Sequence, residues 1–460
     1  MQRIRLAKTD VSLRGALVAI FALILVGAPP TRAVSPQRAP TVWKRFHFDL
    51  GNTAFNDQET ILTKGTIKRL HLLWQFTTNG PIYGSPSVSG SRVLIGDSSG
   101  TLWVLHTDTG AVLDHLALGN NAYGSGAYAT PAVEGDFMYY QDATGNLVKY
   151  DLVNRVPVWT AFASPQDAGF SSPAVYNGRV YAGLSNGTED NPCTVGKMQA
   201  FDTVTGALLW NWDAVPPGYV GGGIWQAPAI DAARNLVLFS TGNPPNGNSA
   251  CGEPIPPNTA GDHTDSIVAL DATTGSEVWT YQAIPGDVAD LDFGGSGPTL
   301  LTAGGRDLVA TGSKNGKLYC LDRSTGQVVW IRDLIGVCNF GCGGIFSPPG
   351  NAHGRLFLNL GIYASHPSAS IAIDGATGNT VWQHAGSDYQ LGGPGIANGM
   401  VFIGTSHDLR VYDEATGAQL ASWTTGGVIS SSPAIANGRI YFGSTDHTFY
   451  VLKGGPPLAR

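Results

Sequence analysis

Charged side chains are scarce in this sequence: Asp, Glu, Lys and Arg make up 13% of 460 residues, against 43% that are apolar. Past the N-terminus no stretch keeps its apolar residues at helical spacing, which argues against a helix bundle. No Cys-x-x-Cys-His occurs; Cys338 and Cys342 have three residues between them and no His after them, so covalent haem attachment is not expected. What is abundant is Gly, 61 residues, and Trp, 11 residues. That balance favours many short strands joined by tight turns, an all-β chain.

The longest apolar run, Ala16 to Gly27, follows Arg3, Arg5, Lys8 and Arg14 and precedes Thr31-Arg32-Ala33. It is too short for a membrane span, which needs roughly 18 residues, and its flanks read as an export signal over 1–33. A periplasmic or secreted protein is expected, and with no Cys near the cut no lipid anchor. Without those residues the net charge moves from -7 to -11, with 22 basic side chains against 33 acidic ones. Such a body repels nucleic acid and anionic membranes alike.

The remainder, 34–460, repeats one unit. FDTVTG at 201, LDATTG at 270, LDRSTG at 321, IDGATG at 373 and YDEATG at 412 are copies of one turn, with weaker copies LHTDTG at 105 and YDLVNR at 150. Trp159, Trp210, Trp279, Trp330 and Trp382 each stand four residues after such a turn. Each copy opens on a short strand marked by Pro, as at Ser85-Pro86 or Ser172-Pro173. Four strands per unit, and a unit too small to bury both faces, predict propeller blades. Eight units are counted. The last stops after FYVLK without its Trp strand, and a spare one, Leu72 to Phe76, lies near the other end. The prediction is one eight-bladed β-propeller whose first and last segments complete a blade together, which leaves no edge of the ring open.

The DxxTG turns and the hairpins such as Asn177-Gly178 trim one face. The long connections, including 184–197, 211–226, 241–264, 280–296 and 331–346, all leave from the other, where a site is expected. That face carries an acidic run, Asp287, Asp290 and Asp292.

Five segments in order, GGGIWQAPAID from Gly221, NLVLFSTGNP from Asn235, TDSIVALDATTG from Thr264, DVADLDF from Asp287 and SKNGKLYCLDRSTG from Ser313, resemble the pyrroloquinoline quinone (PQQ) dependent alcohol dehydrogenases. FHFDLGNTAFNDQET from Phe46 is similar to their polyvinyl alcohol dehydrogenase branch. The resemblance implies Asp290 as the general base for an alcohol, Lys314 as the cation on the reactive quinone oxygen, and Trp225, with Gly222 and Gly223, under the cofactor. It implies Glu189 and Asn243 as metal ligands, with Asp290 and Asp292 adding carboxylates. Calcium is expected, or a lanthanide, since a larger trivalent ion takes an extra carboxylate. Electrons would pass to a separate acceptor such as a soluble cytochrome c. The sequence departs from the family at Ala289, where Trp usually precedes the catalytic Asp.

Export makes disulfides possible. Cys193 with Cys251, and Cys338 with Cys342, are candidate pairs, while Cys320 on a strand reads as a buried free thiol. The alternative function is a non-catalytic propeller that presents its long-loop face to another protein of the cell envelope.

Overall fold

Each DxxTG turn is built by its aspartate. Oδ1 of Asp202 accepts the amides of Val204 and Thr205 at 2.9 and 2.8 Å, and Asp271 does the same for Thr273 and Thr274. Such a side chain substitutes for a backbone turn partner. The computed structural model describes residues 42–455 except 121–125, 164–166, 186–193, 246–254, 257–258, 288, 337–342, 362–367 and 387–390. In it the turns join the third and fourth strands of antiparallel sheets that form the eight blades of one propeller.

Blades 1 to 7 occupy 87–117, 132–161, 174–213, 229–282, 299–333, 350–385 and 395–424. Blade 8 takes three strands from 434–453, and its fourth is His71–Thr77, which runs antiparallel to Thr448–Lys453 with His71 opposite Lys453 and Thr77 opposite Thr448. The spare strand read at 72–76 is therefore the one that shuts the ring. The proposed signal segment lies outside the described residues. Among the described residues the one helical element is a single turn, Ile67–Arg69, and no helix is long and apolar enough to cross a membrane.

The periodic tryptophans dock between blades. The indole Nε1 donates to the next blade's turn, always at the carbonyl just after the Asp position: Trp74 to Thr107, Trp159 to Thr203, Trp210 to Ala272, Trp279 to Arg323, Trp330 to Gly375 and Trp382 to Glu414, at 2.9–3.2 Å. The turn's glycine lies against the same ring; a Cβ on Gly275 would come within 2.6 Å of Trp210. Where blade 1 has Asp114 in place of Trp, its carboxylate accepts the hydroxyl of Tyr150 from blade 2 at 2.8 Å.

A feature the repeat did not announce is the segment Trp43 to Asn56, which winds around the axis and bonds to the inner strands in turn. Trp43 pairs with Val88 of blade 1, and the carbonyls of Lys44, Leu50, Gly51, Thr53 and Ala54 accept amides of Val133, Ile230, Leu300, Asn351 and Ile396 in blades 2, 4, 5, 6 and 7. Asn56 Nδ2 then reaches Ile435 O of blade 8 at 2.7 Å. To turn so sharply the thread places His47, Phe48, Asn52 and Ala54 at positive φ, a region that side chains with a Cβ seldom visit. His47 is fully buried between Ser432 and the Asn52 carbonyl. Burial pushes its imidazole down to about 3, so it stays neutral.

The docking interaction can be separated from glycine's backbone freedom. Gly275→Ala and Gly90→Ala both force alanine to positive φ (74° and 59°), but only the first meets an indole; nothing lies within 4 Å of a Cβ at Gly90. Thermal unfolding is expected to show the Gly275 variant less stable than the Gly90 variant by about 1–3 kcal/mol, the usual cost of overpacking.

Candidate active site

Asp292 holds the site together. It is fully buried, and its carboxylate gathers three loops: Oδ2 accepts Asn243 N at 3.0 Å, and Oδ1 accepts Gly294 N at 2.9 Å and the ammonium of Lys314 at 3.0 Å. Lys314 N in turn donates to Asp292 O at 2.8 Å, and Ser313 Oγ donates to Leu291 O. The connection from blade 4 to blade 5 is thus fastened to the turn after strand Arg306–Gly312 of blade 5.

The same ammonium reaches Asp290 Oδ1 at 2.6 Å. Lys314 is almost wholly buried, its side chain 3% exposed, whereas that of Asp290 is 25% exposed. Asp290 therefore offers the pair's accessible carboxylate, and Asp292 its anchor. Asp290 also sits at φ 53°, in a left-handed conformation that aspartate adopts more readily than most residues.

On the other side of Asn243 lies the glycine segment. Gly222 N donates to Asn243 O at 3.1 Å and Gly242 N to Gly223 O at 2.8 Å. A Cβ at Gly222 would meet Ala214, and one at Gly223 would meet Ser185 Oγ and the indole nitrogen of Trp225; both glycines are required by close approach. Trp225, Gly222, Gly223, Asn243, Asp290, Asp292 and Lys314 are thereby linked through successive contacts across blades 3 to 5. Glu189 falls outside the described residues, as do Cys193, Cys251, Cys338 and Cys342. Cys320 is a buried free thiol.

Two further acids lie beside the pair. Asp287 accepts the amides of Ala289 and Leu291, yet burial holds its carboxyl above the ordinary range. Asp265 is fully buried and neither of its carboxylate oxygens has a hydrogen-bond partner. Burial first, then the charges of Asp287 and Asp292, push it well above the usual carboxylate value. Neither was singled out from the sequence for a role, because burial of an acid leaves no local pattern.

The axis next to this cluster is hollow. A cavity of about 300 Å³ is lined by Tyr83, Tyr128, Phe170 and Trp225 from the entries to blades 1–4, and by Gly295, Phe346, Leu391 and Ser430 from the entries to blades 5–8, with Phe46 of the axial thread also on its wall. These eight stand at equivalent places, three residues before the proline that opens each blade, a register that the sequence itself displays. Phe170 stacks on Trp225 with centroids 4.4 Å apart and planes 21° from parallel. Tyr128 follows at 5.8 Å from Phe170, and Tyr83 at 5.4 Å from Tyr128.

The donor set suits the groups implied above. Asp290 and Asp292 hold one ammonium, with Asp265 and Asp287 near enough to interact with it electrostatically, an excess of carboxyl oxygen that suits a hard cation. Trp225 beside close-packed glycines suits a flat ring. Among the described residues no three His, Cys, Asp or Glu side chains converge as a ready-made metal site.

The chain is similar to proteins already known. A family model described as "Glucose/ethanol/alcohol dehydrogenase, beta-propeller domain" (PQQ) matches residues 145–332, and one described as "Outer membrane protein assembly factor BamB" matches 367–454. A polyvinylalcohol dehydrogenase of Sphingopyxis sp. (strain 113P3) is 24% identical over 91% of this chain and 72% of its own length. One from Pseudomonas sp. is 24% identical over 64% of this chain, which spans about half of that protein, 51%. A solved structure titled europium-containing methanol dehydrogenase superposes with a TM-score of 0.74 at 17% identity, covering 90% of this chain and 98% of that one. The eight-bladed fold and the resemblance to PQQ dehydrogenases are thus borne out, at modest identity.

The orphaned acid yields a prediction. With its folded-state value raised, Asp265 costs nothing below about 3.8, where both states are protonated, and destabilises the fold as pH rises above that. In metal-free buffer Asp265→Asn is expected to melt higher than the parent at pH 7, with the gap closing towards pH 4. Each unit of displacement relieved is worth about 1.4 kcal/mol. A gap independent of pH would show that ionisation is not the cause.

Proposed function

We propose that this chain is an exported PQQ-dependent dehydrogenase that oxidises an alcohol and passes the electrons to a separate acceptor. The observation that carries the reading is the Asp290–Lys314–Asp292 triad at 2.6 and 3.0 Å, fastened to Asn243 and through it to the glycines beside Trp225. The segment matched by the dehydrogenase model, 145–332, contains every candidate site residue, whereas the segment matched by the assembly-factor model, 367–454, contains none. The scaffold reading gives no reason for a buried lysine between two carboxylates.

In this reading Trp225, Gly222, Gly223 and Lys314 hold PQQ, and Asn243, Asp290 and Asp292, with Glu189, hold a cation, calcium or a lanthanide. Once bound, PQQ would supply a two-electron acceptor and the cation the Lewis acidity that polarises it. The chain's own part is positional and acid–base. Asp290, the accessible carboxylate, takes the proton of the substrate hydroxyl, and the partly excluded solvent around it strengthens that contact. Lys314 supplies a fixed positive charge at 2.6 Å from Asp290, so that charge developing nearby meets a preorganised donor. Asp292, which accepts from three protein donors and keeps an acceptor site besides, keeps Lys314 and Asn243 from drifting apart. An export signal over 1–33, as expected from the sequence, supports a reaction in the periplasm or outside the cell. A soluble cytochrome c suits as acceptor for a chain whose sequence has no haem-attachment motif.

The purified chain, given PQQ with calcium or with a light lanthanide, is expected to oxidise alcohols in a dye-coupled assay. Asp290→Asn should lower kcat about a hundredfold or more, while Lys314→Gln should weaken PQQ binding measured by tryptophan quenching. Failure to bind PQQ under either metal would leave the scaffold reading standing. Full turnover by the Asp290 variant would remove the base from its role.

A further inference from the structure

We infer that two copies of this chain pair through the outer edge of blades 2 and 3, across a strip of exposed aliphatic side chains with an arginine at one end and an aspartate at the other. The pairing is independent of the dehydrogenase reading, because the strip lies beside the trimmed face and leaves the long-loop face open.

The repeat shows what is unusual here. Two positions after the turn aspartate, blades 1, 4, 5, 6 and 7 carry a polar or small residue, Asp108, Thr273, Ser324, Ala376 and Ala415, but blades 2 and 3 carry Val153 and Val204. These valines are 56% and 73% exposed. The fourth strands that follow add Val156 and Val158 in blade 2 and Leu208 and Leu209 in blade 3, each 46–52% exposed. The two groups meet at one joint. Trp159, next to Val158, donates to the carbonyl of Thr203, next to Val204, at 3.2 Å, and Gly206 lies against the same ring. Together the six side chains leave roughly 500 Å² in water, within the range of the largest apolar patch on a monomer, which is often functional.

Beside the strip stands a residue the turn does not favour. Blades 1 and 3 to 7 close this turn on Gly110, Gly206, Gly275, Gly326, Gly378 and Gly417 at φ 70–74°, whereas blade 2 closes it on Arg155 at φ 59°. The turn itself is unchanged: Arg155 N donates to Asp151 O at 2.8 Å, as Gly206 N does to Asp202 O at 2.9 Å. Blade 1 has Asp114 where other blades press an indole on that glycine, so a Cβ fits. Room permits the arginine; it does not account for a side chain held in a left-handed conformation. Arg155 is exposed and makes no ion pair among the described residues.

The charges at the two ends name the occupant. Oδ1 of Asp202 is taken up by the amides of Val204 and Thr205, and its Oδ2 accepts no hydrogen bond among the described residues. A two-fold axis through the Trp159–Thr203 joint lays Arg155 of each copy towards Asp202 of the other, with the aliphatic side chains between. A surface carrying both signs in this order is complementary to itself, the condition that a two-fold contact must meet. An anionic membrane would meet one arginine among aspartates, on a chain of net charge -7, and gain little. Pro157 removes an amide from the edge strand Val156–Ala161, so the copies meet by side chains and not by extending the sheet. A standard contact takes about 800 Å² from each partner, apolar at its centre and polar at its rim; the strip and its two flanking turns supply that pattern.

Sedimentation equilibrium of the full chain, over about 0.1–100 μM, tests the pairing. A species of twice the monomer mass is expected. Val204→Glu and, separately, Arg155→Glu should each raise its dissociation constant at least about tenfold. Both side chains are exposed, so neither change disturbs the core. Arg155→Gly restores the residue of the other turns; it should keep the circular dichroism and thermal midpoint of the monomer and still weaken pairing, which a merely structural arginine would not do. Val278→Glu, at a valine 49% exposed on blade 4, should leave the mass unchanged. A monomer at every concentration overturns the inference, as does a dimer indifferent to Val204→Glu and Arg155→Glu or equally weakened by Val278→Glu. A monomer that floats with vesicles of neutral phosphatidylcholine also overturns it, and gives the strip to a membrane.

Discussion

The ring depends on one contact made six times: an indole N–H donated to the carbonyl that follows the next blade's turn aspartate, with that turn's glycine laid against the indole face. A single blade exposes both faces of a four-stranded sheet and has little reason to fold alone. The tryptophan gives each blade a directional tie to its successor, combining a large apolar area with a hydrogen bond that fixes distance and orientation. Every side chain of the candidate site hangs on loops between blades 3 and 5, so the spacing of Trp225, Asn243 and Lys314 is inherited from the ties Trp210 and Trp279 make. The site is as rigid as those joints.

Within that frame the chemistry is concentrated by charge. Among the described residues, Asp265, Asp287 and Asp290 lie around Asp292 with the ammonium of Lys314, in a protein only 13% of whose residues are charged. Asp292 resolves part of the imbalance by accepting two amides and the ammonium. Asp290 resolves its share by facing partly outward. Asp265 has no such outlet, and its unsatisfied carboxyl is the strain left in the site. Functional sites commonly retain such unfavourable arrangements where the surrounding structure is stable enough to impose them.

How much of this the sequence displays follows from which features repeat. The blade count, the tryptophan positions and the completion of blade 8 by Leu72 to Phe76 all have a period, and periodic features are legible without coordinates. The assembly of Trp225, Asn243, Asp290, Asp292 and Lys314 was legible too, though through resemblance and loop length rather than through any local pattern. The axial thread was not. Its backbone bonds to blades 1, 2, 4, 5, 6 and 7 at irregular intervals, with left-handed turns at His47, Phe48, Asn52 and Ala54, and no propensity or alternation marks such a path. The buried state of Asp265 and Asp287 was equally hidden, since it is produced by strands far away in sequence. The cavity ring lay between these cases: its positions are periodic, but their identities run from Trp225 to Gly295, and only the coordinates show that they share a wall.

The meeting of residues 71–77 with 448–453 also sets the order in which the protein can be made. Strand 71–77 has no partner until nearly four hundred residues later, so it cannot pair before blade 8 is made, although the thread can bond to the inner strands as each appears. Contacts of such long sequence separation are slow to form, and they leave sheet edges exposed in the interval. The last hairpin is thus the latch, and loss of 448–453 would leave strand 71–77 without its partner.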